Sequence, residues 1–270
     1  MMTDEDAIAA CLIALVEIPA DDRREKAAIY ADLGKLYSRV GKINDSIMAF
    51  LYALELDRSC GEYWAAFADA IKYAEFSLPH AGVKEAIVTA FSHSEVDPQN
   101  LAVPAVSLLK MMPDYGSTSS HILHDPLLLL ILSRTIVPDL SFEHWMTAMR
   151  RRLALGEVKC PVPFIEALAR QCFLTEYVYA ETEEEKIAIK KLNRLSDKKN
   201  LFLNCYRPVA VEADIALEAS LCPQIPSIKP VSDAVSRLVQ KQYEENPYPR
   251  WVYVPKILPK TIPEILKVVF

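Results

Sequence analysis

Residues 30–56 read YADLGKLYSRVGKINDSIMAFLYALEL, and this stretch decides the fold class. In its second half, apolar side chains recur at the i, i+3, i+4 and i+7 spacing of one helix face. That face consists of Ile47, Phe50, Leu51 and Leu54. Small side chains on the adjacent stripe, Ala49 and Ala53, allow a second helix to approach closely. The stretch therefore predicts two helices that pack against each other across a short connection.

The same stretch resembles the tetratricopeptide repeat, a helical hairpin of roughly 34 residues. The residues at its consensus places are Tyr30, Leu33, Gly34, Tyr37, Gly41, Ser46, Phe50 and Ala53. Trp64 follows Tyr30 by 34 residues, and Phe67 and Ala68 repeat Leu33 and Gly34. After this second, half-matching repeat the period breaks, although amphipathic helical segments continue. We therefore expect residues 1–200 to form an all-α, tetratricopeptide-like solenoid of stacked antiparallel helix hairpins.

The remaining residues predict a proline-rich C-terminal extension in two parts. Residues 201–231 form a connector that Pro208, Pro223, Pro226 and Pro230 interrupt. Residues 232–270 begin with a predicted helix and continue into Asn-Pro-Tyr-Pro-Arg-Trp. Proline fixes its own φ and restricts the residue before it, so this hexapeptide is expected to be a rigid, extended linker.

Glycine is scarce, which excludes several kinds of site. Average usage, roughly 7%, would give about 19 glycines in this length, but the chain has 6. They are Gly34, Gly41, Gly61, Gly82, Gly116 and Gly156. This spacing does not allow G-x-G-x-x-G, a P-loop or the nucleophile elbow G-x-S-x-G. A glycine-cradled nucleotide or S-adenosylmethionine site is therefore not encoded, and a β-rich fold with many tight turns is disfavoured.

Charge and hydropathy exclude two classes of partner. The net charge of −6 argues against nucleic acid, since phosphate binding needs a basic face. The charged runs are interpreted as solvated helix faces, with a binding patch as the alternative. Those runs are Arg150-Arg151-Arg152, residues 181–185 and residues 190–199. No membrane span is expected, because the longest aliphatic run, residues 127–132, is too short to cross a bilayer.

Cysteine and histidine patterns predict neither a metal site nor a catalytic residue. The 6 cysteines are far apart and form no C-x-x-C pair, which indicates a reducing, cytoplasmic compartment. His121-x-x-His124-Asp125 is a local cluster of metal-ligand types, but a zinc site would need a third ligand in a regular element. No nucleophile has an identifiable base beside it.

The inner positions of the repeat pair suggest a partner-binding groove. In the first repeat these positions are Ala28, Ala31, Lys35 and Ser38, and in the second they are Glu62, Ala65, Asp69 and Lys72. The mixed, partly acidic set does not match a clamp for C-terminal carboxylates. We predict that Lys35, Glu62, Asp69 and Lys72 bind a protein or peptide partner, such as a basic peptide. The alternative is a solvated surface.

Residues 242–251, QYEENPYPRW, carry the most specific resemblance in the chain. They resemble the linker of bacterial proteins in which a tetratricopeptide-type N-terminal region is fused to a class I S-adenosylmethionine-dependent methyltransferase domain. Two further parts look similar to that family. The first part consists of residues 96–99 and 107–109. The second part consists of residues 170–173, 176–179 and 181–185. In that family the linker stands just before the glycine-rich cofactor loop.

The resemblance implies a function for the chain and a role for the linker. The chain would be a substrate-presenting module of a methyltransferase whose cofactor domain lies beyond residue 270, so no cofactor or catalytic residue is expected within it. Tyr243, Pro247, Tyr248, Arg250 and Trp251 would form a cap or hinge over the active site, with Arg250 meeting an acidic group.

The alternative for the linker is a rigid segment that packs Tyr248 and Trp251 onto the helices. The alternative for the chain is a stand-alone tetratricopeptide scaffold. A third possibility is a methyltransferase that takes substrate contacts from this chain and binds its cofactor elsewhere.

Overall fold

The computed structural model describes residues 3–195, 201–207, 216–217, 220–224, 233–245 and 249–254. Within these residues the protein is all-helical, with twelve α-helices and no strand, so the predicted all-α class is confirmed. Pro247 and Tyr248, two of the predicted linker residues, lie outside the described residues. None of the described helices is both long enough and apolar enough to span a membrane.

The helices follow one another through short connections over most of the chain. The α-helices are α1 (Asp4–Glu17), α2 (Arg23–Arg39), α3 (Ile43–Leu56), α4 (Gly61–Ile71), α5 (Ala81–Ala90), α6 (Ala102–Lys110), α7 (Ser120–Leu123), α8 (Pro126–Arg134), α9 (Leu140–Ala154), α10 (Val162–Leu174), α11 (Glu183–Leu195) and α12 (Ala234–Glu245). Three short 3-10 helices cover Pro98–Leu101, Leu201–Cys205 and Cys222–Gln224.

Helices α2 and α3 pack against each other, and Gly34 permits their close approach. A Cβ atom on Gly34 would lie 2.7 Å from the Cε2 atom of Phe50, closer than real Cβ contacts come. At the same crossing, the buried Ser46 hydroxyl donates a hydrogen bond of 2.7 Å to the Gly34 carbonyl. Gly34 is therefore in direct contact with Phe50, and this contact requires a small residue at position 34.

Gly41 supplies the turn between these two helices. Its φ of +75° is in the left-handed region that glycine adopts at little cost. The Lys42 amide donates to the Tyr37 carbonyl at 2.9 Å, and the Gly41 amide donates to the Ser38 carbonyl at 3.1 Å. This pair of bonds is the Schellman pattern that closes a helix C-terminus, so the chain reverses directly into α3.

One apolar core connects the second helix of the chain to the region after α11. Its buried members extend from Ala31 to Cys205, while a smaller cluster joins Ile8 of α1 to Leu33 and Leu36 of α2. The 3-10 helix Leu201–Cys205 packs on α10, and its Leu203 and Cys205 side chains are buried. The core therefore continues past residue 200, where the solenoid was expected to end.

A buried ion pair joins α9 to α11. Both Arg150 and Glu185 are only 1% exposed, and the Arg150 Nη2 atom lies 3.4 Å from the Glu185 Oε1 atom. Arg150 also donates to the carbonyls of Tyr179 and Ala180, at 3.2 and 2.6 Å. The Tyr206 hydroxyl donates to Glu185 at 2.8 Å. The interpretation of these two charged residues as solvated was wrong, because each side chain finds partners inside the fold.

The start of α11 shows why Glu185 faces inward. The Thr182 amide donates to the Glu185 Oε2 atom at 2.8 Å, and the Glu185 amide donates to the Thr182 hydroxyl at 3.2 Å. This reciprocal pair of bonds is the capping box typical of a Thr-x-x-Glu sequence at a helix start. Burial raises the pKa of Glu185, but hydrogen bonds from Thr182 and Tyr206 and the Arg150 charge outweigh it. The net pKa is below the ordinary value, and Glu185 stays ionised.

Candidate functional site

A groove between α2 and α4, which we call the inner groove, brings together two of the predicted partner-binding residues. Its volume is about 550 Å³, and α1 contributes Cys11 to its lining. The polar side chains of the lining are Asp32, Lys35, Ser38, Arg39 and Asp69. Lys35 and Asp69 come from successive helix pairs, 34 residues apart in sequence. The groove therefore brings together residues of α2 and α4 that are one predicted repeat length apart.

The charges of the inner groove are held by exposed ion pairs. The Lys35 Nζ atom lies 3.2 Å from the Asp32 carboxylate, and both side chains are more than half exposed. Arg39 lies 3.2 Å from Asp4 on α1. Exposed pairs of this kind contribute about 0–1 kcal/mol each. A charged ligand can therefore replace these partners at little cost in free energy.

The other two predicted residues, Glu62 and Lys72, do not line the groove. Lys72 lies 2.8 Å from Asp69, and this hydrogen bond, together with the Asp69 charge, raises the pKa of Lys72. Glu62 is exposed in the first turn of α4 and does not contribute to the lining. Asp32 and Arg39 were missed by sequence reasoning. Their spacing from Lys35, three residues before and four after, could have placed them on the same helix face.

The C-terminal strap, residues 249–254, returns to the end of α10 through Arg250. The Arg250 amide donates to the Leu174 carbonyl at 2.8 Å. Its guanidinium Nε atom lies 2.8 Å from the Glu176 carboxylate, and its Cζ atom lies 4.0 Å from the centre of the Phe173 ring. Arg250 therefore pairs with an acidic group of the helical region, while the expected cap over an active site stays a prediction.

The backbone at this contact is unusual. Glu176 and Tyr177 have φ values of +53° and +57°, in the left-handed region that glycine favours. The Tyr177 amide donates to the Cys172 carbonyl at 2.7 Å, and the Glu176 amide donates to the Phe173 carbonyl at 3.1 Å. Glu176 therefore holds the position that glycine usually takes after a helix. Strain of about 1 kcal/mol or more at such a residue is often found at functional sites.

Trp251 and Tyr243, the other described linker residues, are largely exposed. Trp251 is 83% exposed and Tyr243, on α12, is 51% exposed. The Tyr253 hydroxyl donates to the Glu95 carbonyl at 3.4 Å. The strap is thus attached on both sides of Trp251, while Trp251 itself faces solvent. The alternative in which Trp251 packs onto the helices does not describe its position.

The histidine cluster makes ordinary structural contacts. His121 Nδ1 lies 3.0 Å from the Asp114 carboxylate. Asp125 accepts from the Leu127 amide at 2.9 Å, which caps α8, and pairs with Lys84 at 2.5 Å. In the part of the chain that the structure describes, no three histidine, cysteine, aspartate or glutamate side chains are grouped as metal ligands would be.

Thiol chemistry is disfavoured at Cys160 and Cys205, because the pKa of each thiol is raised. Burial raises the pKa of Cys160 to about 11. A hydrogen bond with Cys172, together with burial, raises the pKa of Cys205 well above its ordinary value. The thiolate is the nucleophilic form, so these two cysteines are poor nucleophiles at neutral pH.

The chain matches no protein-family model, no curated protein and no solved structure. Its function is therefore inferred from the chemistry of the inner groove and the strap.

Proposed function

We propose that the chain is a tetratricopeptide-like module that binds a protein or peptide partner, and that it presents a substrate to a methyltransferase. The observation that carries the binding function is the inner groove, where Lys35 and Asp69 lie at equivalent positions of two successive helix pairs. A groove built by repeated positions can hold an extended chain in a fixed register.

The tetratricopeptide-like arrangement is supported by contacts within the first repeat. Gly34 allows close approach of Phe50, Ser46 bonds the Gly34 carbonyl, and Gly41 closes the turn. The first helices of the two pairs, α2 and α4, also contact each other directly. We infer that the later helices continue this stacking as an irregular solenoid and that the proline-rich extension follows it.

The lining of the inner groove favours a peptide of mixed charge. Asp32 and Asp69 can accept hydrogen bonds from basic side chains of the ligand, and Lys35 and Arg39 can bind its acidic side chains or carbonyl groups. Leu36 and Phe50 provide apolar contact in the same lining. Complementary charges at these sites would fix the direction of the peptide and exclude peptides of a single charge sign.

The link to a methyltransferase rests on the resemblance and on where its segments lie. Residues from all three resembling segments line one cleft. They are Val96 and Pro98, Arg170, and Trp251. Their proximity supports a shared role. In this proposal S-adenosylmethionine is bound outside these 270 residues, and the described chain holds no cofactor of its own.

A stand-alone scaffold or adaptor is the second candidate, and the inner groove favours it equally. In that case the groove recruits a partner with no methyltransferase involved. For either candidate we propose a cytoplasmic location, because the described cysteines Cys11, Cys60, Cys160, Cys172 and Cys205 are free thiols.

Site-specific photo-crosslinking tests the binding function. A photoreactive amino acid replaces Ser38 in the inner groove, and in a control protein it replaces Lys190, which is exposed on α11. We expect defined protein crosslinks from position 38 that disappear when Asp69→Lys is added. Equal crosslinking from positions 38 and 190, or crosslinking that ignores the charge reversal, would contradict the proposed groove.

Calorimetric titration with S-adenosylmethionine tests the placement of the cofactor. We expect no heat of binding to the 270-residue chain, since no clustered glycines cradle a nucleotide. Saturable binding would contradict the proposal that the cofactor is bound elsewhere. The identity of the crosslinked protein then separates the candidates. A methyl-accepting substrate supports substrate presentation, whereas a partner that is never methylated supports an adaptor.

A further inference from the structure

A small pocket lies where three segments of the chain meet, separate from the inner groove. Its walls are α6, the connection between α8 and α9, and the turn after α4. We call it the α6 pocket, and its volume is about 110 Å³. None of its described lining residues also lines the inner groove. The apolar part of its lining consists of Ala102, Val103, Val106, Val137 and Pro138.

Side-chain hydrogen bonds hold the two loop walls of the α6 pocket in place. The Gln99 side chain donates to the Ile136 carbonyl at 2.7 Å and accepts from the Ile136 amide at 3.0 Å, which fixes the connection between α8 and α9. The Ser107 hydroxyl of α6 accepts from the Phe76 amide at 3.0 Å, directly after Glu75. The walls are therefore fixed by the fold itself, and a ligand need not order them.

The volume of the α6 pocket limits the size of its ligand. Whole small molecules commonly occupy clefts of roughly 300–1,000 Å³, so this pocket is too small for one. A cavity of roughly 150 Å³ holds benzene, so a pocket of about 110 Å³ holds about four non-hydrogen atoms. A lysine side chain beyond its Cβ atom has this size. The pocket therefore suits the end of a single side chain from a partner.

The charges of the α6 pocket favour a cation. Lys110 and Asp139 of the lining pair with each other, so their charges cancel. Partial burial raises the pKa of Asp139, but hydrogen bonds from Lys110, Ser141 and the Phe142 amide outweigh it and hold the pKa at about 2. Glu75 is exposed, and in the part of the chain that the structure describes it makes no ion pair. Two carboxylates and one ammonium group thus leave one negative charge in the lining.

We propose that the α6 pocket binds the side chain of a lysine on a partner protein or peptide. The aliphatic part of this lysine packs against Val103, Val106 and Val137, and its ammonium group pairs with Glu75. Lysine is favoured over arginine because its ammonium group is compact, whereas the guanidinium group is a wide planar fork. A single side chain that fills a well-packed pocket can supply much of the affinity of an interface. The site does not depend on peptide binding in the inner groove.

Titration of the isotope-labelled full chain with n-butylammonium, which corresponds to a lysine side chain, tests the proposal. The NMR shifts of the Val106, Ser107 and Val137 amides follow binding. We expect saturable binding of n-butylammonium and weaker binding of n-butanol, which has the same length but no charge. Glu75→Gln should weaken n-butylammonium binding about two- to fivefold, the effect of losing one exposed ion pair. Lys110→Met should strengthen it, because Asp139 then loses its partner within the chain.

Matched variants control for the loss of any carboxylate and for the shape of the pocket. Glu85→Gln removes an exposed carboxylate from α5, outside the α6 pocket, and should bind n-butylammonium like the wild type. Val103→Phe fills the pocket and should abolish binding. If this variant does not fold by circular dichroism, Val137→Phe fills the pocket from the opposite wall.

Three results would overturn the proposal. The first is an absence of saturable shifts with n-butylammonium, or equal binding of n-butanol. The second is an unchanged affinity for n-butylammonium in Glu75→Gln, because the charge of Glu75 would then have no part in binding. The third is tighter binding of n-butylguanidinium, because the pocket would then fit arginine rather than lysine.

Discussion

The first helix pairs and the C-terminal part of the molecule are held together in different ways. In α2 and α3, Gly34, Phe50 and Ser46 make contacts within a single hairpin, and the surface charges pair in solvent. From α9 onward, charged side chains far apart in sequence meet instead, as Arg150 meets Glu185 and Arg250 meets Glu176. Local packing specifies the first region, whereas long-range polar contacts specify the second.

The largest effect should come from breaking the buried pair of the C-terminal region. Arg150→Met leaves Glu185 charged and without its partner in the interior, so we expect the free energy of unfolding to fall by about 3–5 kcal/mol. Urea denaturation followed by circular dichroism measures this change.

Two further variants separate charge from packing at this pair. Arg151→Met removes the neighbouring arginine, whose pair with Glu184 is exposed, and should cost no more than about 1 kcal/mol. Arg150→Met combined with Glu185→Gln should be more stable than Arg150→Met alone, since no buried charge remains. If Arg150→Met proves as mild as Arg151→Met, the C-terminal region does not depend on its buried ion pair.

A pH-dependent contact joins the end of α6 to the start of α9. Partial burial raises the pKa of Asp139, but hydrogen bonds from Lys110, Ser141 and the Phe142 amide outweigh it and hold the pKa at about 2. A carboxylate with a lowered folded-state pKa stabilises the protein above its unfolded pKa, near 3.9, and loses this effect as the pH falls toward the folded value.

Asp139→Asn tests this contact. The wild type should exceed the variant by about 2 kcal/mol in free energy of unfolding at neutral pH, and this advantage should shrink between about pH 4 and pH 2. Urea unfolding of both proteins across that range measures it. An advantage independent of pH would mean that the Asp139 charge does not stabilise the contact between α6 and α9.

Local packing in the first region predicts a smaller effect. Gly34→Ala places a methyl group against the Phe50 ring, and overpacking of this kind costs about 1–3 kcal/mol. Gly82→Ala is the matched control on α5, where a Cβ atom would meet nothing within 4 Å. We expect thermal unfolding at a lower temperature for Gly34→Ala and at an unchanged or higher temperature for Gly82→Ala. The reverse order of unfolding temperatures would show that the close contact between Gly34 and Phe50 does not stabilise the hairpin.

The smallest effect should appear at the strained end of α10. Glu176→Gly relieves the left-handed backbone by about 1 kcal/mol but loses the pair with Arg250, so the net change in free energy of unfolding should be below about 1 kcal/mol. Glu176→Gln loses the charge and keeps the strain, so it should be the less stable of the two. Equal stabilities of the two variants in urea would show that position 176 carries no strain.

Sequence reasoning reached the first region because its signals are local. Gly34, Gly41 and Phe50 can be placed from a repeat period. The Arg150–Glu185 pair could not be predicted, because periodicity places a residue on a helix face without identifying the distant residue that this face meets. A run of charged residues also favours the interpretation of a solvent-exposed surface. The composition of such a run does not reveal that one of its residues is buried.

The candidate site shows the same difference between residues that local signals place and residues that long-range contacts place. Lys35 and Asp69 follow from the repeat register, whereas Glu62, in the first turn of α4, does not contribute to the groove lining. An acidic partner for Arg250 was expected, but its identity depends on how the chain returns to α10.

Hydrogen exchange at the Arg250 amide tests most directly whether the strap belongs to the folded molecule. This amide donates to the Leu174 carbonyl and so should be protected in the native protein, with the protection reduced in Glu176→Gln. Exchange at the rate of an unstructured peptide, while the buried core of α10 stays protected, would contradict the long-range contact that attaches the strap to α10.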